Sequence, residues 1–112
     1  MSTIRELVEE YRQSSIGMDS ISNPQEANRC HDRWHACYKL LRKTQEGREA
    51  IIELLQDPEP SVRCAAAAHS LQWTPAIARC ILEALRDSQA RCSFEAEMIL
   101  KEYDKGRLTF SY

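Results

Sequence analysis

The chain has 112 residues, 43% of them hydrophobic and 29% charged, with a formal net charge of -2. That length suits one domain (1–112) with one core, and three Gly and four Pro leave little room for strand-and-turn architecture. The slight acidity argues against nucleic acid as a partner, because it provides no general attraction to phosphate backbones. No stretch approaches the ~20 apolar residues of a membrane span, and Arg5, Glu6, Glu9 and Glu10 interrupt any signal-peptide core, so a cytoplasmic protein with no membrane contact is expected. Five cysteines, Cys30, Cys37, Cys64, Cys80 and Cys92, are odd in number; in that compartment they are free thiols acting as small hydrophobes.

Thr3-Ile4-Arg5-Glu6 has the form of a capping box and opens a first helix, with Ile4, Leu7, Val8 and Tyr11 on one face. The pattern loosens through Ser14 and Ser15, and Gly17 to Asn23 reads as a connector. Asn23-Pro24 restarts the chain as a long second helix whose inner side carries Ala27, Cys30 or His31, Trp34, Tyr38 and Leu41. Thr44 to Gly47 reads as a turn broken at Gly47, followed by a third helix over about Arg48 to Gln56 with Ile51, Ile52, Leu54 and Leu55. Asp57-Pro58-Glu59-Pro60 ends it, since neither proline can continue a helix, and Ser61 is the expected cap of the fourth. That helix holds Val62, Cys64, the run Ala65 to Ala68 and Leu71, a combination that lets a neighbour approach closely and marks it as the most buried.

Thr74-Pro75 repeats the cap-plus-proline device and starts a fifth helix with Ile77, Ala78, Ile81, Leu82 and Leu85 inward. After a turn at Asp87 to Arg91, a sixth helix from Ser93 to Lys105 places Phe94, Met98, Ile99 and Tyr103 inward and stops at Gly106, which suits the left-handed cap. The tail folds back through Leu108 and Phe110. The fold class is therefore all-α: about six helices in three antiparallel pairs, each needing a neighbour to cover an apolar face, as stacking in a solenoid provides.

The segment Leu54-Leu55-Gln56-Asp57-Pro58-Glu59-Pro60-Ser61-Val62-Arg63, continuing through Ala66, Ala67 and Leu71, resembles a HEAT repeat. The resemblance implies a HEAT-like αα-superhelix in which Asp57 accepts amide hydrogen bonds in the turn and Arg63 braces adjacent turns. Nearly the whole chain resembles a small bacterial HEAT-like family, family twenty-nineteen among the domains of unknown function. The resemblance lies in Leu7-Val8-Glu9-Glu10-Tyr11, Asn28 and Asp32 before Leu40-Leu41, Val62-Arg63 with its alanines, Thr74-Pro75-Ala76, and Leu100 to Gly106. The chain departs from the family pattern in its extra cysteines and in Trp73, where a smaller apolar residue is usual. Domains of this kind resemble immunity proteins, so the resemblance implies a protein partner, such as a bacterial toxin, neutralised by stoichiometric binding.

Candidate chemistry is sparse. His31-Asp32-Arg33-Trp34-His35 puts two imidazoles four residues apart, as in the zinc-binding H-E-x-x-H helix, but Asp32 is shorter than the usual base and His69 is the only other histidine. The cysteines have alkyl neighbours such as Ala65 and Ile81, and there is no Gly-rich phosphate loop, so neither catalysis nor a cofactor nor a metal is expected. Arg29, Arg33, Lys39, Arg42 and Lys43, interleaved with Trp34 and Tyr38, make the second helix basic and supply the alternative reading of a nucleic-acid-binding module. A third reading is a regulatory or scaffold subunit. The leading expectation is a non-enzymatic protein-binding module whose contact residues are Arg33, His69, Gln72, Trp73 and Glu95, on the second helix of each pair.

Overall fold

The computed structural model describes residues 3–19 and 23–111. Among the described residues all regular structure is helical: α1 (Ile4–Met18), α2 (Pro24–Leu41), α3 (Gln45–Glu53), a 3-10 turn (Leu54–Gln56), α4 (Pro60–Ser70), α5 (Pro75–Arg86) and α6 (Ser93–Asp104). They fall into two compact units, 1–54 and 55–112.

In the first unit the start of α1 is the capping box that the sequence predicts. Thr3 Oγ1 accepts from the Glu6 amide at 3.1 Å, and Glu6 Oε1 accepts from the Thr3 amide at 3.2 Å. The helix then runs past the expected stop at Gly17. Ser14 and Ser15 are buried, and the Ser15 hydroxyl donates to the Tyr11 carbonyl at 2.7 Å, so the polar stretch is satisfied within the helix. Gly17 lies where α1 comes closest to α2, since a Cβ there would meet Cys30 Sγ. Residues Ser20 to Ser22 of the expected connector lie outside the described residues.

Asn23 caps α2, its Oδ1 accepting from the amides of Gln25 and Glu26 at 3.1 and 3.2 Å. α2 buries Cys30, Trp34, Cys37, Tyr38 and Leu41, while His31 is exposed, which settles the inward position in favour of the cysteine. Opposition of Gly17 to Cys30 and of Tyr11 to Trp34, whose ring centroids are 6.0 Å apart, makes α1 and α2 an antiparallel hairpin. α3 closes the unit against both.

Gly47 does not break the chain as expected. α3 begins at Gln45, with Thr44 Oγ1 accepting from the Gly47 amide at 3.0 Å. The glycine is needed for room: a Cβ at Gly47 would collide with the backbone carbonyl of Leu41, the last residue of α2. Arg48 closes the same corner, its Nε donating to the Arg42 carbonyl at 2.9 Å.

In the second unit Pro60 opens α4, and the cap position belongs to Glu59 rather than Ser61. A proline forbidden in a helix interior is well suited to the first turn, and the sequence alone does not say which of Pro58 and Pro60 takes that place. Asp57 Oδ1 accepts from the Glu59 amide at 3.0 Å, and Arg63 Nη1 donates to the carbonyls of Asp57 and Pro58 at 2.8 and 3.1 Å. The two residues thus hold this turn together; Asp57 accepts an amide there as the resemblance implies, while the carbonyls that Arg63 Nη1 meets belong to the same turn. α4 buries Val62, Cys64, Ala65, Ala66, Ala67, His69 and Ser70, and its small side chains let α5 and α6 pack on it.

Thr74 occupies the cap of α5 without a side-chain hydrogen bond. α5 buries Ala78, Leu82 and Leu85 and leaves Ile81 half-buried; Ile77, expected inward, is 52% exposed. α6 buries Ala96 and Leu100, with Ile99 and Tyr103 half-buried. Phe94 and Met98 point outward, contrary to expectation, because the helix turns its small Ala96 toward its neighbours. Arg79 and Asp104 pair in bidentate fashion at 2.7 and 3.0 Å, joining the start of α5 to the end of α6 and making them antiparallel. Gly106 takes the left-handed conformation with φ of 69°, as predicted. Leu108 and Phe110 are half-buried.

Two stability measurements check these packing arguments. Gly47→Ala should lower stability by about 1–3 kcal/mol in denaturant titrations, because displacement of the Leu41 backbone outweighs the better helix propensity of Ala. Ser70 Oγ is buried with no hydrogen-bond partner among the described residues, so Ser70→Ala should raise stability by about 0.5–1 kcal/mol.

Candidate functional site

The histidine pair lies on the first unit's α2. The His31 and His35 ring centroids are 6.5 Å apart, His31 tilts against Trp34, and His35 stacks on Tyr38 at 21°. Tyr38 also has the Arg42 guanidinium over its ring, 4.9 Å from the centroid. Both imidazoles are thus engaged with aromatic neighbours. Among the described residues no group of three or more His, Cys, Asp or Glu could hold a metal ion.

Cys30, Cys37, Cys64 and Cys92 are buried, as small hydrophobes are expected to be, and Cys80 is exposed on α5. Cys92 donates weakly to the Pro60 carbonyl at 3.6 Å. Burial pushes the Cys37 thiol up to about 11, with the Glu10 carboxylate adding its charge and accepting the thiol's hydrogen bond. That environment is the reverse of the one that activates a nucleophilic cysteine.

In the second unit an open groove of about 330 Å³ runs between the start of α4 and the end of α5, lined by Pro60, Arg63, Ile81, Leu85 and Ser88 among others. Arg63 is the cation lining it, and its Nη1 is engaged by the turn carbonyls. The groove is shallow and carries no pair of groups placed for acid–base or nucleophilic work.

The predicted contact residues divide sharply by exposure. Arg33 on α2 and Glu95 on α6 are exposed; Gln72 and Trp73, just beyond α4, are half-buried, and the Gln72 amide donates to the His69 carbonyl at 3.0 Å. His69 is only 2% exposed, so it is a packing residue of α4 and presents nothing to a partner in this conformation. Its inward position follows from the small-residue face of α4, which it shares with Ala65 and Ala66. Arg33 belongs to the first unit and the other four to the second.

Sequence reasoning missed the outward apolar side chains. Phe94 is 65% exposed and Met98 39%, one turn apart on the solvent side of α6 and next to Glu95; Leu40 on α2 is 47% exposed. A spacing of four residues is the same for an inward and an outward stripe, so no signal in α6 alone separates the two. Elsewhere the surface is laced with short ion pairs. Arg79 and Arg86 hold Asp104 and Asp87 below the usual carboxylate range by hydrogen bonding, and the exposed setting makes these pairs orienting contacts rather than large sources of stability.

The Cys37 environment has a definite pH signature. A thiol whose pKa rises from 9.0 to about 11 on folding favours the folded state fully while protonated, and that contribution is lost as pH climbs through this interval. Denaturant midpoints measured across it should fall for the native chain and fall less steeply for Cys37→Ala.

No curated relative and no solved structure matches the chain. A family model does, over residues 5–104: Domain of unknown function (DUF2019). The match takes in all of α2 to α6 and nearly all of α1. The chain therefore belongs to this family, as its capping and packing residues suggest.

Proposed function

We propose that the chain is a non-enzymatic protein-binding module whose helical hairpins stack in the HEAT manner. The observation that carries this reading is the outward pair Phe94 and Met98, large apolar side chains set one turn apart on the solvent side of a well-packed helix. Aromatic and methionine side chains are enriched at protein interfaces, whereas lysine and glutamate dominate free surface. Glu95 lies beside them, and the half-buried Trp73 is a second candidate anchor.

The specific form of this reading is an immunity protein that occupies the active site or substrate groove of a toxin. Its support is the family resemblance together with a surface suited to stoichiometric docking. Shape and charge complementarity at such a surface give specificity without any chemistry by the inhibitor itself.

Pull-down from the native host, followed by a toxicity-rescue assay with the captured partner, tests the reading. Phe94→Ala should weaken binding by about 2 kcal/mol or more, about thirtyfold in affinity, while changing stability by less than about 0.5 kcal/mol. Equal affinity of wild type and a Phe94→Ala, Met98→Ala double variant would remove this surface from the function. Failure to protect cells from a toxin that the chain binds would leave a binding module without the immunity role.

A further inference from the structure

α2 turns a second kind of surface outward. Opposite its buried side lie Arg29, Arg33, Ala36 and Leu40, all exposed, at spacings of four, three and four that keep them in one stripe, with Lys39 alongside and the exposed Lys43 in the turn just beyond the end of the helix. Several cations elsewhere are tied to carboxylates: Arg12 to Glu9, Arg79 to Asp104, Arg86 to Asp87 and Lys101 to Glu97. On α2 only Arg29 has such a partner, Glu26 at 3.2 Å. Arg33, Lys39 and Lys43 make no ion pair with any described residue, and in a chain of net charge -2 they leave a local positive stripe.

Leu40 lies within this stripe, between Arg33 and Lys43, and is 47% exposed, with the small Ala36 one turn before it. An apolar centre with a charged rim is the anatomy of a protein interface. Single-stranded nucleic acid is held by exposed aromatic rings on which bases stack as well as by a cationic track. Here Trp34 and Tyr38, the rings that the basic residues interleave with in sequence, are turned into the core at 7% and 0% exposure, and Asp32 faces out among the cations. A single leucine is also too little apolar surface to anchor a helix in a lipid interface.

We propose that the outward face of α2 docks an acidic amphipathic protein helix, whose apolar stripe covers Leu40 and Ala36 while its carboxylates meet Arg33, Lys39 and Lys43. The proposal deepens the protein-binding reading and rests on it, but uses a surface other than the Phe94 and Met98 pair.

The test is an NMR titration of the isotope-labelled full chain with four probes. These are a synthetic amphipathic peptide with Glu and Asp flanking a Leu stripe, the same peptide with Lys in place of each acid, a mixed-sequence DNA duplex, and phosphatidylcholine vesicles containing phosphatidylserine. The acidic peptide should shift amide signals confined to residues 29–43, and the shifts should weaken as salt rises from about 0.05 to 0.5 M. An Arg33→Glu, Lys43→Glu variant and a Leu40→Ser variant should each bind it at least about tenfold more weakly. The basic peptide, duplex and vesicles should leave these signals unmoved. Duplex or vesicle binding through α2 that survives Leu40→Ser overturns the proposal, as does an acidic peptide that shifts nothing or shifts signals elsewhere. The two readings separate on the partner captured from the host. Binding that is lost in Phe94→Ala but untouched in Arg33→Glu, Lys43→Glu retains the module and removes the α2 face.

Discussion

Closeness of approach between helices is the constraint on which both units rest. At Gly47 the Leu41 carbonyl takes the space of a side chain, at Gly17 the Cys30 sulfur does, and in α4 three consecutive buried alanines present little beyond a methyl group. Tight spacing lets long side chains from one helix reach across another, and it is how Tyr11, Tyr38 and Leu82 come to be fully enclosed in so short a chain. A helix that meets its neighbours through small residues has few inward positions left for large ones. On α6 the inward residues are Ala96 and Leu100, and the bulk of Phe94 and Met98 is displaced to the solvent side. The packing that stabilises the fold and the outward placement of large apolar side chains on α6 are thus two results of one geometric rule.

Much of this was legible in the sequence. The caps at Thr3 and Asn23, the proline at the start of α5 and the left-handed Gly106 all depend on local chemistry, which a linear pattern carries directly, whereas the structural roles of Asp57 and Arg63 came from the repeat resemblance. The misreadings have a common origin in tertiary context. Gly47 has the local signature of a chain break, and only the nearness of the Leu41 backbone makes it a helical residue. Ile77, Phe94 and Met98 share helical spacing with true core positions, and which way such a stripe faces is decided by partners distant in sequence. His69 was assigned to a contact surface by its place in the helix order, whereas the narrow face of α4 draws it inside.

The electrostatic organisation contributes little to stability. Exposed pairs such as Arg79 with Asp104 orient α5 against α6 and neutralise charge where nothing else is asked of it. On α2 only Arg29 is paired in this way, and Arg33 and Lys39 face water. Trp34 and Tyr38 are buried on the inner side of this helix, so its outer residues stand on packed side chains.

Cys80 is the one solvent-facing thiol, the other four being enclosed. A maleimide fluorophore or spin probe should therefore attach to the unaltered protein at a single known place on the middle of α5. Spectroscopic distance and mobility experiments could begin without any prior mutagenesis.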